Sequence, residues 1–517
     1  MRFEVGQSRS TSSVLLVIDN RIRIGKVDLS PSLIVELKKI HEHENPHRYV
    51  MQKMGIPVWK EPHKLRTWTE TKSELSLPRG TLSKILPLLT DAGHDVEIVD
   101  RREEGVPIKL PPTRRVLYPY QLRIVAAAIK EEQCLIQATQ GAGKTTAFVA
   151  LASEIGLPVI VVVPNKTLLD QWKRRVVEEL GLTDKQIGIV KGGKTKLRPV
   201  TIGIQGTIAR LANTSKEFRE YFGCLVFDEV HGAAAKSAYE AVDAMPARFR
   251  IGCSADLKRK DKKHPLINDL FGDAAIEVTR EELIASGHVL DVEVRAVPTD
   301  FGADWYGMPE EESDETIFDL PSDSHMTTEI VEEKKIDFVR LVREMSECPN
   351  RNAQIVRLVR EEANAGAQVL VLTHLVEHVM RLGQTLSGMG VKTGYLLGGA
   401  DGTTEFKRTA DGLRRGEVQV GVGTYKACGV GLDLPHVDVG IAATPIASNK
   451  QFFGQVRGRL CRTSEGKTGA RLYVILDHQV FPSHANNLCA WNAKVIVKTD
   501  SGWKPARQWI REQRSIV

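Results

Sequence analysis

Long apolar runs are missing from this chain of 517 residues. A stretch such as Val159 to Val163 is closed by Pro158 and Pro164, far short of the roughly 18–20 apolar residues that a membrane-crossing helix needs. Cysteine is scarce: seven, an odd number with no Cys-x-x-Cys pair. That argues against a disulfide framework and against a zinc ribbon, and suits a reducing compartment. There is no low-complexity tract, and Met1-Arg2-Phe3-Glu4 lacks the apolar stretch of a secretory signal. The expectation is a cytoplasmic protein without a membrane partner. A large excess of one charge is missing too. The net charge of +6 and pI near 8.8 are compatible with a polyanionic partner without requiring one.

What is present is a repeating pattern. From Arg114 to Glu281, buried-strand signals (Cys134–Gln137, Val159–Val163, Thr201–Ile204, Cys224–Phe227 and Arg250–Cys253) are each followed by a helical pattern. Continuous apolar runs alternating with amphipathic segments predict a parallel α/β sheet covered on both faces. The alternation returns at Val369–Leu372, Gly394–Leu396, Gln419–Val422, Val439–Ala442 and Leu472–Leu476. The fold class is therefore α/β with two tandem lobes. The expected division is an N-terminal α/β accessory domain at 1–112, a first lobe at 113–281, a second lobe at 282–480, and a short appendage at 481–517. Within that appendage, Asp500-Ser501-Gly502 reads as a hairpin turn. Residues 310–333 hold ten Asp or Glu and no Lys or Arg. This block reads as a solvated insertion or as an acidic flap that competes with phosphates.

One strand runs into Ala138-Thr139-Gln140-Gly141-Ala142-Gly143-Lys144-Thr145, with a helix after it. Gly141 and Gly143 let the backbone wrap a phosphate with its N–H groups inward, and the helix N-terminus adds its dipole. Lys144 supplies charge to the β- and γ-phosphates of ATP, and Thr145 offers a hydroxyl to Mg2+. The pattern's usual first glycine is Ala138. Downstream, the apolar Cys224–Phe227 ends in Asp228-Glu229-Val230-His231. Adjacent carboxylates repel one another without a cation. Asp228 is placed to hold Mg2+, and Glu229 to polarise the attacking water.

From Tyr118 to Asp477 the chain resembles the superfamily 2 helicases of the DExH group, which implies two RecA-like lobes with the ATP site formed between them. The resemblance gives Gln121, in Tyr118-Pro119-Tyr120-Gln121, the adenine edge, and adds Ala142, Thr146 and His231 to the nucleotide set. Lys166, in Val163-Pro164-Asn165-Lys166-Thr167, and Thr207, in Gln205-Gly206-Thr207, resemble backbone contacts to nucleic acid. The coupling motif usually reads Ser-Ala-Thr. Here Ser254 is kept and Asp256 replaces the threonine, with Lys258, Arg259 or Lys260 as its possible ion-pair partners.

In the second lobe, Thr424 resembles a further nucleic-acid contact and Asp433 a nucleotide sensor. The run Gln455-Val456-Arg457-Gly458-Arg459-Leu460-Cys461-Arg462 matches Gln-x-x-Gly-Arg-x-x-Arg. Gln455 joins the nucleotide set. Arg459 and Arg462, three apart on a helix, would share a face and serve as arginine fingers.

The N-terminal region carries Arg48, Lys53, Lys60, Lys64, Arg66, Lys72, Arg79 and Lys84, against Glu61, Glu70 and Glu74. Basic groups interleaved with Tyr49, Trp59 and Trp68 suit phosphates and bases, though both tryptophans also read as core residues of a small α/β domain with the basic residues on its outer face. Arg79, Lys64 and Arg66 are the DNA-contact candidates. His41, His43 and His47 read as a solvated cluster rather than a metal site. Leu77-Pro78-Arg79-Gly80 resembles an element of phage recombination helicases. That resemblance implies a DNA helicase acting on forked, branched or duplex DNA, with recombination or replication proteins as possible partners. The other readings are an RNA helicase, an ATP-controlled clamp, and the motor of a restriction complex.

Overall fold

The computed structural model describes residues 13–53, 57–257, 262–306, 328–398, 404–428, 434, 436–446, 450–464, 467–492 and 494–514. The chain divides into two compact units, Met1–Thr279 and Arg280–Val517.

The first unit contains two principal sheets. Its N-terminal sheet has five strands in the order Thr69–Glu70, Glu74–Pro78, Arg21–Gly25, Ser13–Ile18 and Asp95–Asp100. Alternation along Ser13–Ile18 puts Val14 and Leu16 inward, where they meet Leu33 and Leu37 of one helix and Ile85 and Leu89 of another. The two tryptophans of this region differ. Trp68 packs partly buried against that core, while Trp59 is 77% exposed.

The second sheet has eight strands in the order Lys194–Lys196, Ile187–Lys191, Val200–Ile204, Val159–Val163, Cys224–Asp228, Phe249–Ser254, Gln133–Ala138 and Ala274–Val278. All neighbours are parallel except the first pair. Cys224–Asp228 and Phe249–Ser254 are buried throughout, as strands covered on both faces must be.

Polar side chains bind the N-terminal sheet to this second sheet, and they change the reading of two sequence features. Arg79 is only 2% exposed and is not a surface DNA contact. Its guanidinium donates to the carbonyls of Ala247 (2.8 Å) and Asp19 (3.1 Å) and to the Gln133 side chain. Burial pushes its pKa well down. Gly80 beside it is required by close approach: a Cβ there would lie 2.4 Å from the carbonyl oxygen of Asn268. The Leu-Pro-Arg-Gly element is thus a buttress. The histidines are not a solvated cluster either. His41 is fully buried, bonded to Leu37 O (2.6 Å) and Thr81 Oγ1 (2.7 Å), while His43 meets Asp269 at 2.7 Å. Among the described residues no group of three or more His, Cys, Asp or Glu is clustered as a metal site.

The second unit has its own eight-stranded sheet, in the order Thr393–Leu396, Val420–Thr424, Val369–Thr373, Val439–Ala442, Ala470–Leu476, Val292–Pro298, Val495–Thr499 and Gly502–Pro505. Only the last pair is antiparallel. Helices Pro349–Asn364 and Val376–Gly388 pack Ile355, Val359, Val379 and Leu382 on it. The two sheets are the tandem RecA-like lobes. The segment from 481 does more than append to the second lobe, because its hairpin through Asp500-Ser501-Gly502 adds two strands to the sheet. Of the acidic block, 310–327 lie outside the described residues, and from Thr328 the chain is helical. No helix among the described residues is long and apolar enough to cross a membrane.

Candidate functional site

The first lobe gathers its motifs on one edge. The strands Gln133–Ala138, Val159–Val163, Val200–Ile204, Cys224–Asp228 and Phe249–Ser254 run parallel, so all five C-terminal ends open on the same side. That edge is where ligands bind in open α/β sheets. It receives the phosphate loop, Asn165-Lys166, Gln205-Gly206-Thr207, Asp228-Glu229 and Ser254.

The loop 139–143 carries Gly141 at φ 90° and Gly143 at φ 67°, left-handed values that cost a residue with a Cβ. A Cβ on Gly143 would also sit 2.5 Å from Gln121 Nε2. Lys144 starts the helix Lys144–Ile155, and its ammonium donates to Ala138 O at 2.9 Å. Thr145 occupies the helix's first turn beside it. The hydroxyl of Thr146 points elsewhere, donating to the buried Glu179 at 2.8 Å. Gln121 is buried, accepting from the Tyr118 N–H (3.0 Å) and donating to Ala142 O (3.2 Å) and Gly143 O (3.3 Å). It therefore braces the phosphate loop from behind.

Asp228 ends its strand with both carboxylate oxygens engaged. Oδ1 accepts the Glu229 N–H at 3.0 Å and the Cys253 thiol at 3.5 Å. Oδ2 accepts the indole N–H of Trp172 at 2.7 Å. Glu229 turns at φ 55°, ψ 57°, a left-handed conformation that redirects the chain immediately after the strand. Its carboxylate stands 3.5 Å from Ser254 Oγ and 3.4 Å from His231 Nδ1. Burial pushes the Glu229 carboxyl up, Lys144 opposes that, and Asp228 adds to it. A half-buried base of raised proton affinity, acted on by a cation and a carboxylate, suits deprotonation of water. Together with the inward-wrapped loop, the hard-oxygen donors Asp228 and Thr145 fit a magnesium-bound nucleoside triphosphate.

Other candidates have structural occupations. Asn165 caps the helix Lys166–Leu180, accepting from Leu168 N at 3.1 Å, and so places Lys166 at its first position. Thr207 Oγ1 accepts from Gly192 N at 3.2 Å. Ser254 Oγ also accepts from the Asp256 N–H at 3.4 Å, while 258–261 lie outside the described residues. Lys64 and Arg66 are exposed, 3.2 and 3.6 Å from Glu42. Arg48 is committed to the carbonyls of Val58 and Glu61, at 2.6 and 2.7 Å.

In the second unit, Thr424 is buried and caps a short turn through Ala427 N (3.1 Å). Asp433 lies outside the described residues, as does the side chain of Gln455. The helix Lys450–Leu460 contains Arg459 but ends before Arg462, whose backbone bridges to Val289 instead. The two arginines therefore do not share a helical face. Two residues that the sequence did not single out matter here. Lys467 donates to Leu460 O (2.8 Å) and Val437 O (2.6 Å), pinning the end of the arginine helix, and burial lowers its pKa to about 8. Trp172 holds Asp228. Neither position carried a local pattern that would reveal its partner.

A family model described as the res subunit of type III restriction enzymes matches residues 114–259. The DNA 3'-5' helicase XPB of Mycobacterium tuberculosis is 26% identical over 344 residues, 65% of this chain and 56% of that protein. The chain thus spans little more than half of that relative. Probable helicase D10 of Escherichia phage T5 is 24% identical over 422 residues, 81% of this chain and 83% of its own length. Among solved structures, a fragment assigned to the HsdR subunit of a type I restriction enzyme from Vibrio vulnificus YJ016 aligns with TM-score 0.53 at 14% identity. It covers 75% of this chain and 69% of that one, a likeness of fold. With two tandem lobes and the motif set gathered at the strand ends of the first, the chain is similar to the superfamily 2 helicases.

Proposed function

We propose that the protein is an ATP-driven DNA helicase or translocase that remodels forked or branched DNA in recombination, replication or repair. The observation that carries the motor reading is the shared edge of the first lobe. The phosphate loop, the Asp228-Glu229 pair and the Lys166 and Thr207 segments all leave parallel strands on the same side. ATP binding and nucleic-acid grip are therefore built on one rigid sheet.

The proposed chemistry follows from the side chains. Backbone N–H groups at Gly141 to Lys144 and the Lys144 ammonium hold the phosphates. Asp228 and Thr145 would hold magnesium, which would supply positive charge to neutralise phosphate oxygens. Glu229 takes the proton of the attacking water. Arg459 and Arg462 are proposed as the cations that meet the γ-phosphate when the lobes close. Thr207 and Thr424 then shift their grip along one strand, in the 3′-to-5′ direction.

DNA as the polymer is supported by the relatives that are DNA 3'-5' helicases. A groove of about 930 Å3 in the first unit adds to this, since Lys64, Arg66, Lys236 and Lys263 line it against the two carboxylates Glu240 and Asp243. The branched substrate is the finer part of the proposal. It rests on the resemblance to phage helicases and on the accessory N-terminal sheet. The test is ATP hydrolysis against single-stranded, duplex, forked and four-way-junction DNA and against RNA. Strongest stimulation by forks or junctions, followed by strand displacement on them, is the expected result. Stimulation by RNA alone would overturn the DNA assignment.

A further inference from the structure

An indole has a single N–H to donate, and when buried it needs a partner. Trp172 is 1% exposed and donates to Asp228 Oδ2, 56 residues away in sequence, at 2.7 Å. On the other side the Glu229 N–H holds Oδ1 at 3.0 Å. The carboxylate is thereby fixed in rotation from two directions. Trp172 also belongs to the helix Lys166–Leu180, capped by Asn165 and opening with Lys166. The indole's residue sits about 9 Å along a rigid rod from Lys166, at 1.5 Å per residue.

We propose that Trp172 is a positioning residue, resting on the ATPase reading above: it orients the metal-holding carboxylate and ties that carboxylate to the helix whose first turn meets nucleic acid. A shift of that helix on a DNA strand moves the donor of Asp228, so grip is converted into a change in metal affinity. Simple core packing would require only aromatic bulk, most of which phenylalanine supplies.

The test uses the full chain with its seven tryptophans labelled with 15N at the indole. In metal-free protein, the signal lost in Trp172→Phe should move upfield and exchange faster with solvent in Asp228→Ala. If it does neither, the proposal is overturned. If Trp172→Phe fails to fold, single replacement of the other six tryptophans assigns the signal by elimination. With folded Trp172→Phe, the Mg2+ concentration for half-maximal hydrolysis should rise about tenfold, the size of one charge-assisted hydrogen bond. ATP affinity measured in EDTA should hold, and stimulation by DNA should fall. An unchanged Mg2+ requirement in a folded variant also overturns the proposal. Absence of hydrolysis in the unaltered chain would instead count against the ATPase reading, and the indole signals report separately from it.

Discussion

The two lobes share an architecture but prepare their functional groups differently. In the first, three of the groups at the strand ends already have partners within their own unit. Lys144 meets Ala138 O, Asp228 lies between Trp172 and the Glu229 N–H, and Glu229 stands by Ser254. In the second, Thr424 serves as a cap, and Arg459 rides a helix whose end Lys467 pins, while Arg462 lies past that end. The proposed catalytic base and metal-holding carboxylate would lose efficiency with small errors of placement, and both are held in advance.

Removing the charge that holds phosphate should have the largest effect. Lys144→Ala is expected to abolish ATP hydrolysis under saturating DNA, and residual turnover would mean the loop is not the phosphate site. Arg459→Ala should reduce DNA-stimulated turnover by about 10³-fold or more, the lower range for arginine fingers, with nucleotide binding retained. Normal stimulation would show that the second lobe's platform serves something else. Glu229→Gln sharpens the contrast within the first lobe. Turnover should stop while ATP still binds, as read by filter retention of labelled nucleotide.

Charge within the first unit is divided between structure and surface, and two variants separate those uses. Arg79→Met should destabilise the unit by about 2–4 kcal/mol in chemical denaturation, because several buried carbonyls lose their donor. Lys64→Glu with Arg66→Glu should leave the melting temperature nearly unchanged. It should lower the slope of log affinity against log salt by about 1 per lost phosphate contact. An unaltered slope would remove these two residues from the DNA path.

The smallest effect concerns pH and the second unit. Burial lowers His378 to about 3 and His374 to about 4, below the ordinary value near 6.5. Protons therefore bind the unfolded state preferentially between those limits. The stability contributed by the neutral rings is full above about pH 6.5 and falls as pH drops toward 4, by at most about 1.4 kcal/mol per unit for each ring. His378→Asn should flatten that slope in denaturation curves taken at pH 7 and pH 5. A slope equal to that of the unaltered chain would show that His378 is not its source.

Much of this was legible in the sequence because the responsible forces are local. A buried parallel strand must be apolar throughout, so Val159–Val163 and Val439–Ala442 announce themselves with their bounds. A loop that wraps phosphate must carry glycine where φ is positive, and Gly141 and Gly143 do. The strand Val292–Pro298 escaped because Glu293 and Arg295 interrupt its apolar run. It lies between Ala470–Leu476 and the hairpin that follows it, neither adjacent in sequence.

The sequence by itself determined the two α/β lobes, the phosphate loop, and the carboxylates at a strand end, because each is written within a dozen residues as backbone conformation and hydrophobic period. Tertiary structure alone decided where the single charges and donors went. Arg79 went inward to carbonyls at 19 and 247, His41 into the core, and Trp172 to Asp228. Those pairings are set by desolvation: a buried donor or charge must find whichever partner the packed chain brings near it, and nothing in its own neighbourhood of sequence names that partner.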